Sequence, residues 1–168
     1  MKSRVYFIPA DGSEPAGIIA DKAKRIYLAT GFNDRIAERD FAALKIHFGE
    51  ASNTGYIKPQ WLTGLIWEVR TRTTHAFLTD SNTLYVGNRS NSVDHLRQAW
   101  SHGFTPETTG VPVIIADGLI GHDKQEPRSA QLRTSSSKIS SAILDSDVFV
   151  CMTHVTGHVQ TGLGAAIK

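Results

Sequence analysis

The chain has 168 residues, a formal net charge of +2, and a 40% hydrophobic to 20% charged composition, which fits one folded domain with its own core and argues against disorder. Lysines and arginines are scattered instead of forming a stripe, so nucleic acid is not an expected partner. No apolar run is long enough to span a bilayer, and Met1 to Arg4 leads into a short apolar segment unlike a signal-peptide core, so a cytoplasmic protein with no membrane partner is expected.

The first element is a strand over Arg4-Val5-Tyr6-Phe7-Ile8, turned by Pro9-Ala10-Asp11-Gly12. Ser13 can cap the helix that follows, in which Ile19, Ala23, Ile26 and Tyr27 form an apolar stripe and Gly31 a stop. A second strand begins at Phe41. Leu44, Ile46 and Phe48 fall on one face by the alternation of a strand, which puts Lys45 and His47 on the other. In a parallel sheet both faces are covered, so Lys45 and His47 need a partner or a chemical role; at a sheet edge the lysine simply reaches water. The segment opens into the polar loop Glu50-Ala51-Ser52-Asn53-Thr54-Gly55, as a strand does when it delivers a loop to a site.

Pro59 opens a second helix with Trp61, Leu62, Leu65, Ile66 and Val69 on one face. A third strand, His75 to Thr79, runs into Asp80-Ser81-Asn82-Thr83, and residues 84–90 continue as a loop. Asn91 caps the next helix, with Asp94 in its first turn, Gly103 past its end, and His95 and His102 on its surface. Residues 111–116 form a fourth strand with Pro112 near its start, emptying into Asp117-Gly118. A polar loop or short hairpin over 120–136 precedes a short helix over 137–145 and a fifth strand over 147–153. Cys151, the only cysteine, sits in that strand and reads as a packed, inert thiol. Alone it can neither close an intramolecular disulfide nor supply a thiolate-ligated iron-sulfur cluster.

Alternating strands and helices imply right-handed crossovers and hence an α/β fold over residues 1–168: a three-layer, open, mostly parallel sheet of about five strands with helices on both faces. The strand tips then share one edge. There Asp80 and Asp117 are the carboxylates suited to acid-base or metal work, though each could instead cap a loop or helix. Lys45 would serve as anion clamp or base beside His47, while Glu50, Asn53, Thr54, Asn82, Thr83 and Gly118 would orient a small anionic ligand. His47, His154 and His158 are candidate ligands for a divalent transition metal such as zinc, nickel, iron or manganese; the competing reading has them hydrogen-bonding loop backbone. Gly162 and Gly164 match a loose dinucleotide fingerprint, but serve better by exposing N–H groups to an anion at a helix start, with Lys168 adding charge. Neither a Gly-x-Ser-x-Gly elbow nor a Walker P-loop occurs.

Lys45-Ile46-His47-Phe48-Gly49-Glu50 with Asn53 to Pro59, Thr79 to Tyr85, Arg89-Ser90-Asn91 with Asp94-His95, Pro112 to Leu119, and Thr153-His154 with Gly157-His158 and Thr161-Gly162 together resemble the DUF362 family over nearly the whole chain. Many members are joined to, or found with, a ferredoxin-like module binding two [4Fe-4S] clusters, so the resemblance implies iron-sulfur-linked redox chemistry. Because the cysteine motifs of that module are absent here, any cluster would lie on a separate chain or in a missing module. Members usually continue past the position of Lys168 into a further lobe, so the chain is similar to the N-terminal half of the usual domain. A fainter resemblance, to the N-terminal domain of nickel-pincer lactate racemases, rests on His158, residues 161–164 and Lys168, a lysine that in that family carries the cofactor. Two functions are therefore expected in competition: an enzyme or enzyme half of the DUF362 type, or a non-catalytic ligand-binding or scaffold subunit for an iron-sulfur partner.

Overall fold

A computed structural model describes residues 3–127 and 137–166. Its centre is a parallel sheet of β1 (Ala42–Ile46), β2 (Ala76–Asp80), β3 (Val113–Ile115) and β6 (Val148–Met152), in the order β3-β2-β1-β6. The helices are α1 (Ala16–Ala29), α2 (Thr63–Arg70), α3 (Ser92–Ser101), and the short α4 (Pro106–Thr109) and α5 (Ser141–Leu144). Two small antiparallel pairs complete the fold: β4 (Lys124–Gln125) with β5 (Ile139–Ser140), and β7 (Thr156–His158) with β8 (Gly162–Gly164).

The register pairs Leu44 with Leu78 and Val150, and Leu78 with Val113, so these residues share one face of the sheet. That face meets Leu65, Ile66 and Val69 of α2 and Ala99 of α3 in the main core. Each such fully buried aliphatic side chain contributes about 1.5–3 kcal/mol over leaving it in water. α1 packs on α2 at a point where only glycine fits: a Cβ on Gly64 would lie 2.7 Å from the carbonyl oxygen of Ala20. Asn91 caps α3 as its side chain implied, accepting the backbone N–H of Asp94 at 3.0 Å, a contact of the kind that stabilises a helix by about 1 kcal/mol.

Strands β1, β2 and β3 step outward in one direction, and the chain then returns to lay β6 on the other side of β1. Right-handed crossovers carry that return over the face opposite α2 and α3, where Ala43, Phe77 and Thr79 are buried yet lie outside the main core. The reversal places a topological switch point between β1 and β6. In open α/β sheets the crevice at such a point, beyond the carboxyl ends of the strands, is where ligands bind.

The sheet has four strands where about five were expected. Residues 4–8 form no strand; Val5 and Phe7 are 90% and 84% exposed. A strand exists only through a hydrogen-bonded neighbour, and both sides of β1 are already taken by β2 and β6. The helix expected over 137–145 shrinks to α5, because Ile139 and Ser140 pair with Gln125 and Lys124 instead. Ser13 does not cap α1; Pro15 holds that position, and Ser13 bonds to Asp11. Cys151 is exposed, not packed. Desolvation of its sulfur, with a weaker push from Asp80 and against the opposing charge of Lys45, raises the thiol above its usual range, which keeps the reactive thiolate scarce.

Candidate functional site

Lys45 lies next to the end of β1 and Asp80 ends β2, so the parallel register brings them together at the carboxyl edge. Lys45 Nζ is 3.5 Å from Asp80 Oδ1, while Asp80 Oδ2 accepts from Arg89 Nη1 at 3.2 Å. Arg89 is 4% exposed. Its fork also reaches Glu50 Oε1, through Nε at 3.1 Å and through a shorter contact from Nη2, and Nη2 donates to the Tyr85 hydroxyl at 2.8 Å. That hydroxyl donates in turn to Glu50 Oε1 at 2.6 Å. The Arg89 hydrogen bonds, ahead of any other influence, hold the Glu50 carboxyl below its ordinary range. A planar guanidinium with five donors is the one side chain that ties three loop groups from a single point. Arg89 stood out in the sequence only as part of a loop motif, because nothing local to it announces that it will be buried between two carboxylates.

Of the two histidines expected on the surface of α3, His95 is buried and His102, just past the helix end, is half-buried. His95 is 0% exposed, neither ring nitrogen has a hydrogen-bond partner among the described residues, and Nε2 sits 3.8 Å from Asp80 Oδ2. Burial, against the pull of Asp80, pushes its pKa down to about 4. His102 stacks on Tyr56 with centroids 4.2 Å apart and its Nδ1 is 2.8 Å from the carbonyl oxygen of Phe48. The spacing of His95, Gln98, Ala99 and His102 is itself that of an inward-facing helical stripe, a signal outweighed by the general polarity of histidine.

A cavity of about 360 Å³ opens at the switch point, between the tips of β1 and β6. Lys45, His47, Glu50 and Asn53 line one side, and His154, Thr156 and His158 the other. His47 Nδ1 accepts the backbone N–H of Gly49 at 2.9 Å, and His158 Nδ1 accepts those of Gln160 and Thr161 at 3.2 and 3.3 Å. An acceptor nitrogen carries no proton, so in both neutral rings the proton sits on Nε2 and makes it a donor. Burial first, then the Arg89 charge, lowers the His47 pKa and keeps that ring neutral. A metal on Nε2 would need the other tautomer, with Nδ1 protonated and donating, and a metal on Nδ1 would displace the backbone N–H groups it now accepts. Among the described residues no group of three His, Cys, Asp or Glu side chains could hold a metal ion, so His47, His154 and His158 share a cavity without forming a ligand set.

A model of a "domain of unknown function (DUF362)" matches residues 42–168. The chain belongs to the DUF362 family. No curated protein and no solved structure matches it.

The DUF362 match begins at β1 and therefore takes in every strand tip, but the tips do not make one pocket. Asn82 and Thr83 line a second cavity, of about 320 Å³, together with Tyr85, Ser90, Gly121 and Lys124. Asp117 lies fully buried behind it, its Oδ1 accepting the backbone and side-chain N–H groups of Asn82, both at 2.9 Å. The Gly118 carbonyl accepts from Asn82 Nδ2 at 2.9 Å and Ser92 Oγ at 2.6 Å. Tyr85 and Glu50, joined by their hydrogen bond, stand on the walls of the two cavities. Thr54 turns away from the first cavity and offers its carbonyl to Lys58 Nζ at 2.8 Å. Gly162 and Gly164 belong to β8, not to a helix start, so they present no helix-end N–H cluster; Gly164 alone reaches the first cavity. Lys168 lies outside the described residues.

Proposed function

We propose that this DUF362 chain binds a small anionic ligand in the switch-point cavity and acts on it as an enzyme or enzyme half, in the cytoplasm, alongside an iron-sulfur partner chain. The observation that carries the reading is the donor set: Lys45 Nζ with the Nε2–H groups of His47 and His158, two neutral rings whose tautomers are fixed by backbone N–H groups. Donors held before the ligand arrives cost no reorganisation and suit phosphate or carboxylate oxygens. Asp80 keeps Lys45 in place at 3.5 Å without a full hydrogen bond, so the ammonium is free to turn toward an anion. Clusters would lie on a partner chain or in a module beyond these residues, since one cysteine cannot ligate a [4Fe-4S] centre.

A second reading, a non-catalytic subunit that orders a partner, draws on the β7–β8 hairpin beside the cavity, where Val159 is fully exposed and Leu163 59% exposed. Titration of the purified chain with inorganic phosphate, followed through the histidine Nε2 signals by NMR, tests the anion site. The expected result is saturable shifts of His47 and His158, weakened at least about tenfold by Lys45→Ala. Shifts unaltered by that substitution, or no shifts at all, would overturn the reading.

A further inference from the structure

We propose that the ligand of the switch-point cavity is a small zwitterion, an amino carboxylate whose ammonium pairs with Glu50 while its anionic group sits on Lys45. The inference rests on the anion site proposed above and names the second charge of its ligand. Four alternating charges run along the carboxyl edge of the sheet. Lys45 Nζ is 3.5 Å from Asp80 Oδ1, Asp80 Oδ2 is 3.2 Å from Arg89 Nη1, and the Arg89 fork closes on Glu50 Oε1. The two middle side chains, Asp80 and Arg89, are only 7% and 5% exposed, whereas the end members, Lys45 and Glu50, are 28% and 36% exposed. Of the four, Lys45 and Glu50 alone line the cavity. Its wall therefore offers a ligand one cation and one anion.

The two oxygens of Glu50 are unequal. Oε1 takes the Tyr85 hydroxyl at 2.6 Å, Arg89 Nε at 3.1 Å and Arg89 Nη2, while no group among the described residues donates to Oε2. Hydrogen bonds from Arg89 foremost hold this carboxyl below its ordinary range, so it is ionised at neutral pH and Oε2 is open to a charge-assisted bond from an ammonium. Net charge favours the same ligand. With the histidines neutral, the two cations and two anions of the chain cancel. A lone anion unbalances that wall and meets the Glu50 carboxylate, whereas one charge of each sign pairs with both ends and leaves the sum at zero. Size agrees as well: about 360 Å³ is in the range that holds a small organic molecule, more than a single carboxylate or phosphate group fills. The half-buried Tyr56, Ile57 and Ala165 on its walls would cover the methylenes between the two charged ends.

The experiment titrates the full chain, followed through the histidine NMR signals, with glycine, β-alanine, γ-aminobutyrate and δ-aminovalerate, and with the amine-free carboxylates acetate, propionate, butyrate and valerate. The span from Lys45 to Glu50 selects the length that fits. At least one amino acid is expected to bind about tenfold or more tightly than its amine-free counterpart, in competition with inorganic phosphate. Glu50→Gln keeps an acceptor for Arg89 and Tyr85 but removes the charge, and should cut that preference to less than about twofold. The ligand comparison is made on the wild type, so it stands whether or not the variant folds. Saturable phosphate shifts with no amino acid preferred over its amine-free counterpart, or a hydroxy acid of the same length binding as tightly as the preferred amino acid, would overturn the zwitterion while leaving the anion site in place. No shifts with any of these ligands or with phosphate would overturn both. A preference that survives in folded Glu50→Gln would also overturn the proposal.

Discussion

Acidification should destabilise this fold in large part through His95. Its ring is fully buried, without a hydrogen bond to either nitrogen among the described residues, 5.7 Å from the Phe48 ring in an edge-on contact. Desolvation outweighs the favourable charge of Asp80, and Arg89 and His47 add to the opposition, so the folded-state pKa falls from 6.5 to about 4. Between those values the unfolded chain holds the extra proton, so stability rises with pH across the window and is lost as pH drops. At 1.36 kcal/mol per pH unit the gap corresponds to about 3 kcal/mol, forfeited in full only near and below pH 4. His47 titrates in the same direction, so the His95 share has to be isolated by difference. Urea unfolding of the wild type and of His95→Phe from pH 7.5 to about 4 supplies it, with His95→Gln as a second variant in case the larger ring does not fit. Both variants should show a shallower loss of stability on acidification than the wild type. Parallel curves for wild type and variants, or a wild type that gains stability toward pH 4, would refute the reasoning.

Arg89→Ala removes the guanidinium from the buried Asp80 carboxylate and leaves Lys45, at 3.5 Å, as its remaining cation, and should cost about 3–5 kcal/mol in urea unfolding; combining it with Asp80→Ala should cost clearly less than the sum of the single changes. Gly49→Ala places a Cβ 2.7 Å from His102 Nδ1 and 2.8 Å from the Tyr56 ring at a φ of +89°, so a loss of at least about 1–2 kcal/mol is expected, together with weaker phosphate binding as the Tyr56–His102 stack beside the first cavity is displaced.

How much of the site could be read from residue order is clearest at particular positions. Lys45 and Asp80 were recognisable because each sits at the end of an apolar strand, where a charge has no local reason to be. Their contact joins residues on two different strands and depends on β1 and β2 being parallel neighbours in one register. His95 was misjudged because a lone polar residue in an amphipathic helix is usually outside; the buried charge it faces comes from another element. The segment 4–8 was misjudged for the opposite reason, since its apolar composition is strand-like but no open place beside β1 awaits it.

Alone, the order of residues determined the α/β class, the parallel run of the strands, and the gathering of polar tips at one edge, because hydrophobic periodicity and crossover handedness are properties of local chemistry. The tertiary structure decided that β6 returns to the far side of β1, and this made the switch point and divided one expected pocket into two. It also decided that His47 and His158 line the first cavity, each with its Nδ1 taken by backbone N–H groups whose direction only the folded turns provide.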